Sequence, residues 1–154
     1  MQRTPCKTHA SFEPCDFGTE VCGDTIITNA EYNWGLDGEE NAVVLYDRGS
    51  KWTGGYPTAT KTHLEAVEAM NHFVGPGGKI LRFYSDKAPE LVRAAHDKGI
   101  CHDTATPGRP DTNGVAERIV QKVVEGTKAV LYQAGMENHW WPKGMEHFCF
   151  FHKQ

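Results

Sequence analysis

The chain has 154 residues, 39% hydrophobic and 23% charged, with a formal net charge of −4. That length and balance suit one domain with a real core and argue against wholesale disorder or a protein that coats nucleic acid through bulk positive charge. No apolar run approaches the ~20 residues a bilayer span needs, and no apolar stretch follows Met1 as in a secretory signal.

The charge is uneven. Residues 1–47 hold 9 acids against Arg3 and Lys7, for −7, while residues 48–154 hold 14 bases and 11 acids, for +3. An acidic centre beside a mildly basic remainder is compatible with a metal-dependent enzyme acting on phosphate. The five cysteines, Cys6, Cys15, Cys22, Cys101 and Cys149, form no Cys-x-x-Cys pair. They imply reduced thiols in an intracellular protein, without a zinc ribbon or a thioredoxin-type site.

In chain order, residues 1–18 are polar, with Pro5, Pro14 and Gly18, and read as a linker or the remnant of a preceding segment. The domain proper is expected over 19–154. Thr19 to Thr28 is a plausible strand and Asn29 to Glu40 a turn-rich connection. "NAVVLYD" (41–47) is an apolar run of strand length, and "KWTGGYPTAT" (51–60) reads as a third strand in which Gly54-Gly55 allows a bulge. From Thr62 to Val74 the apolar residues switch to helical spacing, and "GPGG" (75–78) stops that helix. "KILRFY" (79–84) is a short strand ending at Ser85-Asp86. Pro89 to Lys98 is helical with Gly99 as its natural stop. Ile100 to Thr104 is a fifth strand. A loop rich in Pro and Gly then leads into a long helix from Gly114 to about Ala134, and a last helix starts near Trp140. The order β-β-β-α-β-α-β-α-α predicts an α/β protein: a five-stranded mixed sheet with helices on both faces.

Three acids stand out in that plan. Asp24 lies inside the first strand, where Asp is disfavoured. Asp86 directly follows the fourth strand, and Glu117 lies in the first turn expected of the long helix. Functional groups of α/β sheets gather outside the carboxyl ends of strands. If the first and fourth strands are neighbours, Asp24 and Asp86 share that edge and the helix brings in Glu117. Three converging carboxylates repel one another unless a cation is present, and hard oxygen donors favour Mg²⁺ or Mn²⁺. Spacing alone leaves blander roles open: Asp24 capping a bulge, Asp86 capping the next helix, and Glu117 facing a helix dipole worth roughly 0.3–1 kcal/mol.

"YSDKAPEL" (84–91), "GICHDTATPGRPDTNGVAER" (99–118) and "WWPKGMEHFCF" (140–150) resemble the integrase catalytic core of copia-type retrotransposons and, more distantly, of retroviruses. The resemblance runs from about Thr19 to the C-terminus, and its most specific part is Pro110 to Arg118. It implies an RNase H-like fold and a D,D-E triad of Asp24, Asp86 and Glu117 that binds two divalent metal ions, Mg²⁺ or Mn²⁺. The implied activity is DNA phosphodiester cleavage and strand transfer, that is, DNA integration. The implied partners are the element's DNA ends, target DNA and further copies of the chain, with neither a membrane nor a small-molecule substrate. The site of action would be the nucleus.

By the same resemblance the loop before Glu117 is a hinge, with Gly108 and Gly114 giving freedom and Pro110 restraint. Asp47, in "LYDRGSKW" (45–52), is structural, with Ser50 and Trp52 as its partners. Arg109, Asn113, Arg118, Lys122 and Lys128 are candidate DNA contacts. Thirty residues separate Asp86 from Glu117, fewer than is usual in the family, and Lys87-Ala88 stands where relatives have Asn-Gly. Gln121 and Val124 stand where retroviral relatives have lysines. The chain looks C-terminally truncated against that pattern. Two alternatives follow: an inactive remnant serving only in DNA binding or assembly, or an RNase H-type hydrolase, with Asp103 or Asp111 as its fourth acid.

Elsewhere the structural readings dominate. Trp140, Trp141, Met145, Phe148 and Phe151 read as core at helical spacing. His96 and His102 read as satisfied histidines rather than ligands. Cys22, on the same strand face as Asp24, reads as a buried inert thiol.

Overall fold

β1 (Glu20–Ile27), β2 (Asn41–Asp47) and β3 (Thr53–Thr58) form an antiparallel meander. The chain then crosses through α1 (His63–Val74) to β4 (Arg82–Ser85) and through α2 (Pro89–Asp97) to β5 (Cys101–Thr104). Both of these strands run parallel to β1, as helical crossovers require. The sheet order is β3-β2-β1-β4-β5, followed in sequence by α3 (Pro110–Ala134), a short 3₁₀ turn (Asn138–Trp140) and α4 (Trp141–Phe151). The computed structural model describes residues 16–28, 33–104 and 110–152, with backbone only for Thr104 and 110–113. The expected linker therefore lies almost wholly outside the described residues.

The sheet is covered on both faces, as anticipated. On one, Val21, Val43, Leu45 and Phe83 meet Ala66, Met70 and Phe73 of α1 and Leu91, Ala94 and Ala95 of α2. On the other, Ala42 and Val44 meet Val123 of α3 and Met145 and Cys149 of α4. β2 is buried along its whole length, which is why it reads as a continuous apolar run instead of an alternating one. The helix signals also behave as their chemistry dictates. Thr62 caps α1 through its side chain, and Gly99 takes φ +66° after α2 while the Ile100 N–H reaches back to the Ala95 carbonyl.

Four expectations need correction. β3 has no bulge: its pairing with β2 is unbroken from Thr53 to Thr58. Gly54 and Gly55 are instead explained by crowding, since a Cβ would fall 2.6 Å from the Tyr56 hydroxyl at the first and 2.7 Å from Met145 Cγ at the second. α3 starts at Pro110, not Gly114, because proline's fixed φ suits a first helical position. Glu117 is thus about two turns into the helix, and Pro110 and Gly114 belong to it rather than to a hinge; Gly108 lies outside the described residues. Trp140 is 37% and Phe151 68% exposed, so only Trp141, Met145 and Phe148 of the aromatic stripe join the core, with Cys149. Finally, Cys101 is disulfide-bonded while Cys22 and Cys149 are free, so the thiols are not all reduced. Spacing along a sequence does not reveal pairs made in space.

Asp47 is structural, as expected. Fully buried, it accepts the Gly18 N–H on Oδ1 at 2.9 Å and the Ser50 N–H on Oδ2 at 2.6 Å. Asp47→Ala leaves both donors without their acceptor, and urea denaturation should show a loss of about 3 kcal/mol. Divalent-metal affinity of the folded variant should stay unchanged.

Candidate active site

Asp24 is in β1 opposite Val44 of β2, and β1 runs parallel to β4 with Cys22 beside Tyr84. Asp24 lies two residues beyond Cys22 and Asp86 two beyond Tyr84, so the two acids leave neighbouring parallel strands at the same sheet edge. Asp24 is half-buried, and its Oδ1 accepts the Thr25 N–H at 2.8 Å. Asp86 is exposed just past β4, and its Oδ1 accepts the Ala88 N–H at 3.0 Å in the turn that starts α2. Asp86 therefore holds the turn before that helix without capping it: the N-cap position is Ala88, which makes no side-chain cap bond.

Glu117 is exposed on α3. The adjacent Ala116, with Ile119 and Val120, lines a narrow void together with Cys22, Gly23, Asp24 and Val44, which brings the Glu117 turn down over Asp24. The electrostatics carry the same message. Burial holds the Asp24 carboxyl above the usual carboxylate range and the Thr25 N–H draws it down. The negative charges of Asp86 and Glu117 push it up again, with the Lys61 ammonium opposing them. The three acids picked from the sequence thus share one field.

They do not form a finished cage. Among the described residues, no three His, Cys, Asp or Glu side chains stand close enough together to hold a metal ion. The donors nevertheless fit Mg²⁺ or Mn²⁺ in kind: carboxylate oxygens whose mutual repulsion a divalent cation relieves.

Other residues singled out in the sequence fall as follows. Cys22 is buried and its thiol is pushed up to about 11 by burial, the signature of an inert cysteine. His102 is satisfied, with Nε2 2.7 Å from Ser85 Oγ and its ring tilted against Phe83, whereas His96 is exposed beside Asp97. Asp103, on β5, lies 3.9 Å from the Arg82 guanidinium of β4; the side chain of Asp111 is not described. Arg118 is exposed, with Nε donating to the Gly114 carbonyl at 2.9 Å, while Lys122 is half-buried and Lys128 exposed. Arg109 lies outside the described residues, as does the side chain of Asn113. Lys61, just before α1, pairs with Glu90 and acts on Asp24 through its charge, with no signal in the sequence to single it out.

No protein-family model matches the chain. In sequence it is 26% identical over 140 residues to the retrovirus-related Pol polyprotein from transposon TNT 1-94 of Nicotiana tabacum; the match covers 86% of this chain and 10% of that polyprotein. In fold it is similar to the catalytic core domain of BIV integrase, with a TM-score of 0.61 at 17% identity, covering 86% of this chain and 81% of that one. The chain has the fold of a retroviral integrase catalytic core. This integrase-type fold recurs in the HTLV-2 integrase catalytic core in complex with magnesium, in trimeric form (TM-score 0.63, 14% identity, 89% and 86% covered). It recurs again in the simian T-cell lymphotropic virus intasome in complex with a PP2A regulatory subunit (TM-score 0.64, 16% identity, 87% and 49% covered). Two depressions of about 510 and 430 Å³, the first around Trp52, Tyr56 and His72 and the second along β3, are lined by none of the three acids.

Proposed function

We propose that the chain is the phosphodiester-transfer core of a retroelement integrase, which cuts DNA and joins strands with the help of divalent metal. The observation that carries this reading is the shared field of Asp24, Asp86 and Glu117, drawn from β1, the end of β4 and α3. The magnesium held by the HTLV-2 core of similar fold is consistent with it.

In this mechanism Asp24 and Asp86 flank the metal positions from the sheet edge, and Glu117 completes them from α3. A divalent ion held by these acids, Mg²⁺ or Mn²⁺, would supply activation of water or a 3′-hydroxyl as nucleophile and neutralisation of the charge developing on the phosphate. No covalent intermediate with a side chain is needed. The Thr25 N–H fixes one oxygen of Asp24, which leaves the other to bind. Arg118, Lys122 and Lys128 on α3 hold the DNA backbone with little regard to sequence, joined by Arg109 and Asn113. Further copies of the chain assemble through α4, where Phe150 and Phe151 are 63% and 68% exposed. Chromosomal DNA as target places the reaction in the nucleus.

The open arrangement of the acids favours a second reading, a DNA-binding or assembly module without turnover. Thermal melts with rising Mg²⁺ or Mn²⁺ separate the two, since a ligand of the native state raises the melting temperature with its concentration. Under the catalytic reading the wild type is stabilised, by about 2.7 kcal/mol at a hundredfold excess over the dissociation constant, and Glu117→Gln much less. If neither responds, the module reading takes its place.

A further inference from the structure

Glu90 sits in the first turn of α2 directly after Pro89, where an acid facing solvent already satisfies the helix dipole. Its side chain instead turns inward and is only 8% exposed. Burying a carboxylate is costly unless it is paired and hydrogen-bonded, so its partners matter. Oε1 accepts the Thr25 hydroxyl at 3.1 Å and lies 3.4 Å from Lys61 Nζ. These partners come from β1 and from the segment before α1, so one oxygen ties three parts of the fold together.

The bonds continue to the site. Thr25 gives its hydroxyl to Glu90 and its backbone N–H to Asp24 Oδ1. At the start of the same α2 turn, the Ala88 N–H goes to Asp86 Oδ1. Both carboxylates therefore refer to the first turn of α2: Asp86 through Ala88, and Asp24 through Thr25 and Glu90. Side chains alternate along a strand, so Thr25 points to the sheet face opposite Asp24. Glu90 thus acts from behind the acids and is not a further ligand among them.

We infer that Glu90 is a positioning residue that, through Thr25 and with Lys61 as its counter-ion, fixes Asp24 relative to Asp86 for metal binding. The inference rests on the proposed metal reading of the acids. Partners that orient metal ligands in this way are worth about 10–100-fold in affinity when removed.

The test is Mn²⁺ binding to the whole chain, by calorimetry and by the electron paramagnetic resonance of free Mn²⁺, with circular dichroism confirming that each variant is folded. Glu90→Ala and Thr25→Val should weaken binding about 10–100-fold. Thr25→Ser, which keeps the hydroxyl, and Glu90→Gln, which keeps an acceptor for it, should bind nearly as the wild type does. Thr25→Val is close in shape to threonine, so it carries the test if Glu90→Ala does not fold. Wild-type affinity in Thr25→Val or in folded Glu90→Ala overturns the positioning role and leaves the metal reading intact. A Glu90→Gln as weak as Glu90→Ala also overturns it, because charge and not the Thr25 bond would then be what matters. A wild type that binds no Mn²⁺ overturns both.

Discussion

Asp24→Asn is expected to lower metal-dependent strand transfer by about 10³-fold, ~4 kcal/mol in the barrier, while raising the melting temperature of the metal-free protein. The rate falls because an amide of the same shape cannot supply the negative charge that holds a divalent cation. The stability gain follows from the sign of the pKa shift. Burial, and then the charges of Asp86 and Glu117, raise the folded-state pKa of Asp24 above its ordinary 3.8. The folded chain therefore holds this proton more tightly than the unfolded chain does. The resulting penalty is absent below the unfolded pKa, grows as pH rises through the raised folded value, and is fully present above it. Melts from about pH 4 to pH 8 should show Asp24→Asn most stable relative to wild type at the neutral end, with the two converging in acid. Added Mn²⁺ should stabilise the wild type and not the variant. A metal-free Asp24→Asn no more stable than wild type at neutral pH would remove the field on which the site rests. Asp86→Asn should lose turnover without a comparable gain, because Asp86 is exposed and its carboxylate supports the turn into α2.

The order of elements was legible because it rests on local chemistry: period-2 and helical apolar patterns and glycine stops. Asp24 stood out as an Asp inside a strand, while Asp86 and Glu117 joined it as a triad chiefly through the family resemblance. Adjacency of Asp24 and Asp86 was legible only conditionally, since nothing local to β1 or β4 states that they pair in parallel. What escaped the sequence depends on direction in space. Glu90 looks like any first-turn acid, and only its inward turn toward Thr25 and Lys61 distinguishes it. Trp140 and Phe151 fit a helical stripe by count, yet the buried side of α4 is set by Pro142, Met145 and Cys149, and Phe151 lies well round from it. The glycine pair of β3 signalled backbone freedom in the sequence, while the fold uses Gly54 to admit the Tyr56 ring and Gly55 to admit Met145 of α4. Pro110 was read as a restraint on a loop because the helix beyond it was taken to start at Gly114.

Phe83→Ala should be the most damaging single core truncation near the site, costing about 3–5 kcal/mol, or roughly 6–20 °C in melting temperature for a chain of this size. Phe83 is fully buried in β4 among Val21, Leu45 and Leu91, with its ring tilted against His102 at 5.7 Å. Its ring also lies across the neighbouring acid-bearing strand, over Gly23. Gly23, next to Asp24, lets the ring approach so closely that a Cβ there would fall 2.5 Å from Phe83 Cζ and 2.9 Å from Leu45 Cδ2. A ring enclosed in a close-packed core has nowhere to withdraw, so Gly23→Ala should itself cost about 1–3 kcal/mol by overpacking. If the two residues are one packing unit, Phe83→Leu should return part of that loss in the double variant. Urea denaturation of the four proteins gives the coupling, expected at about 0.5–3 kcal/mol in the relieving direction. Strict additivity would mean that the ring and the glycine do not press on each other.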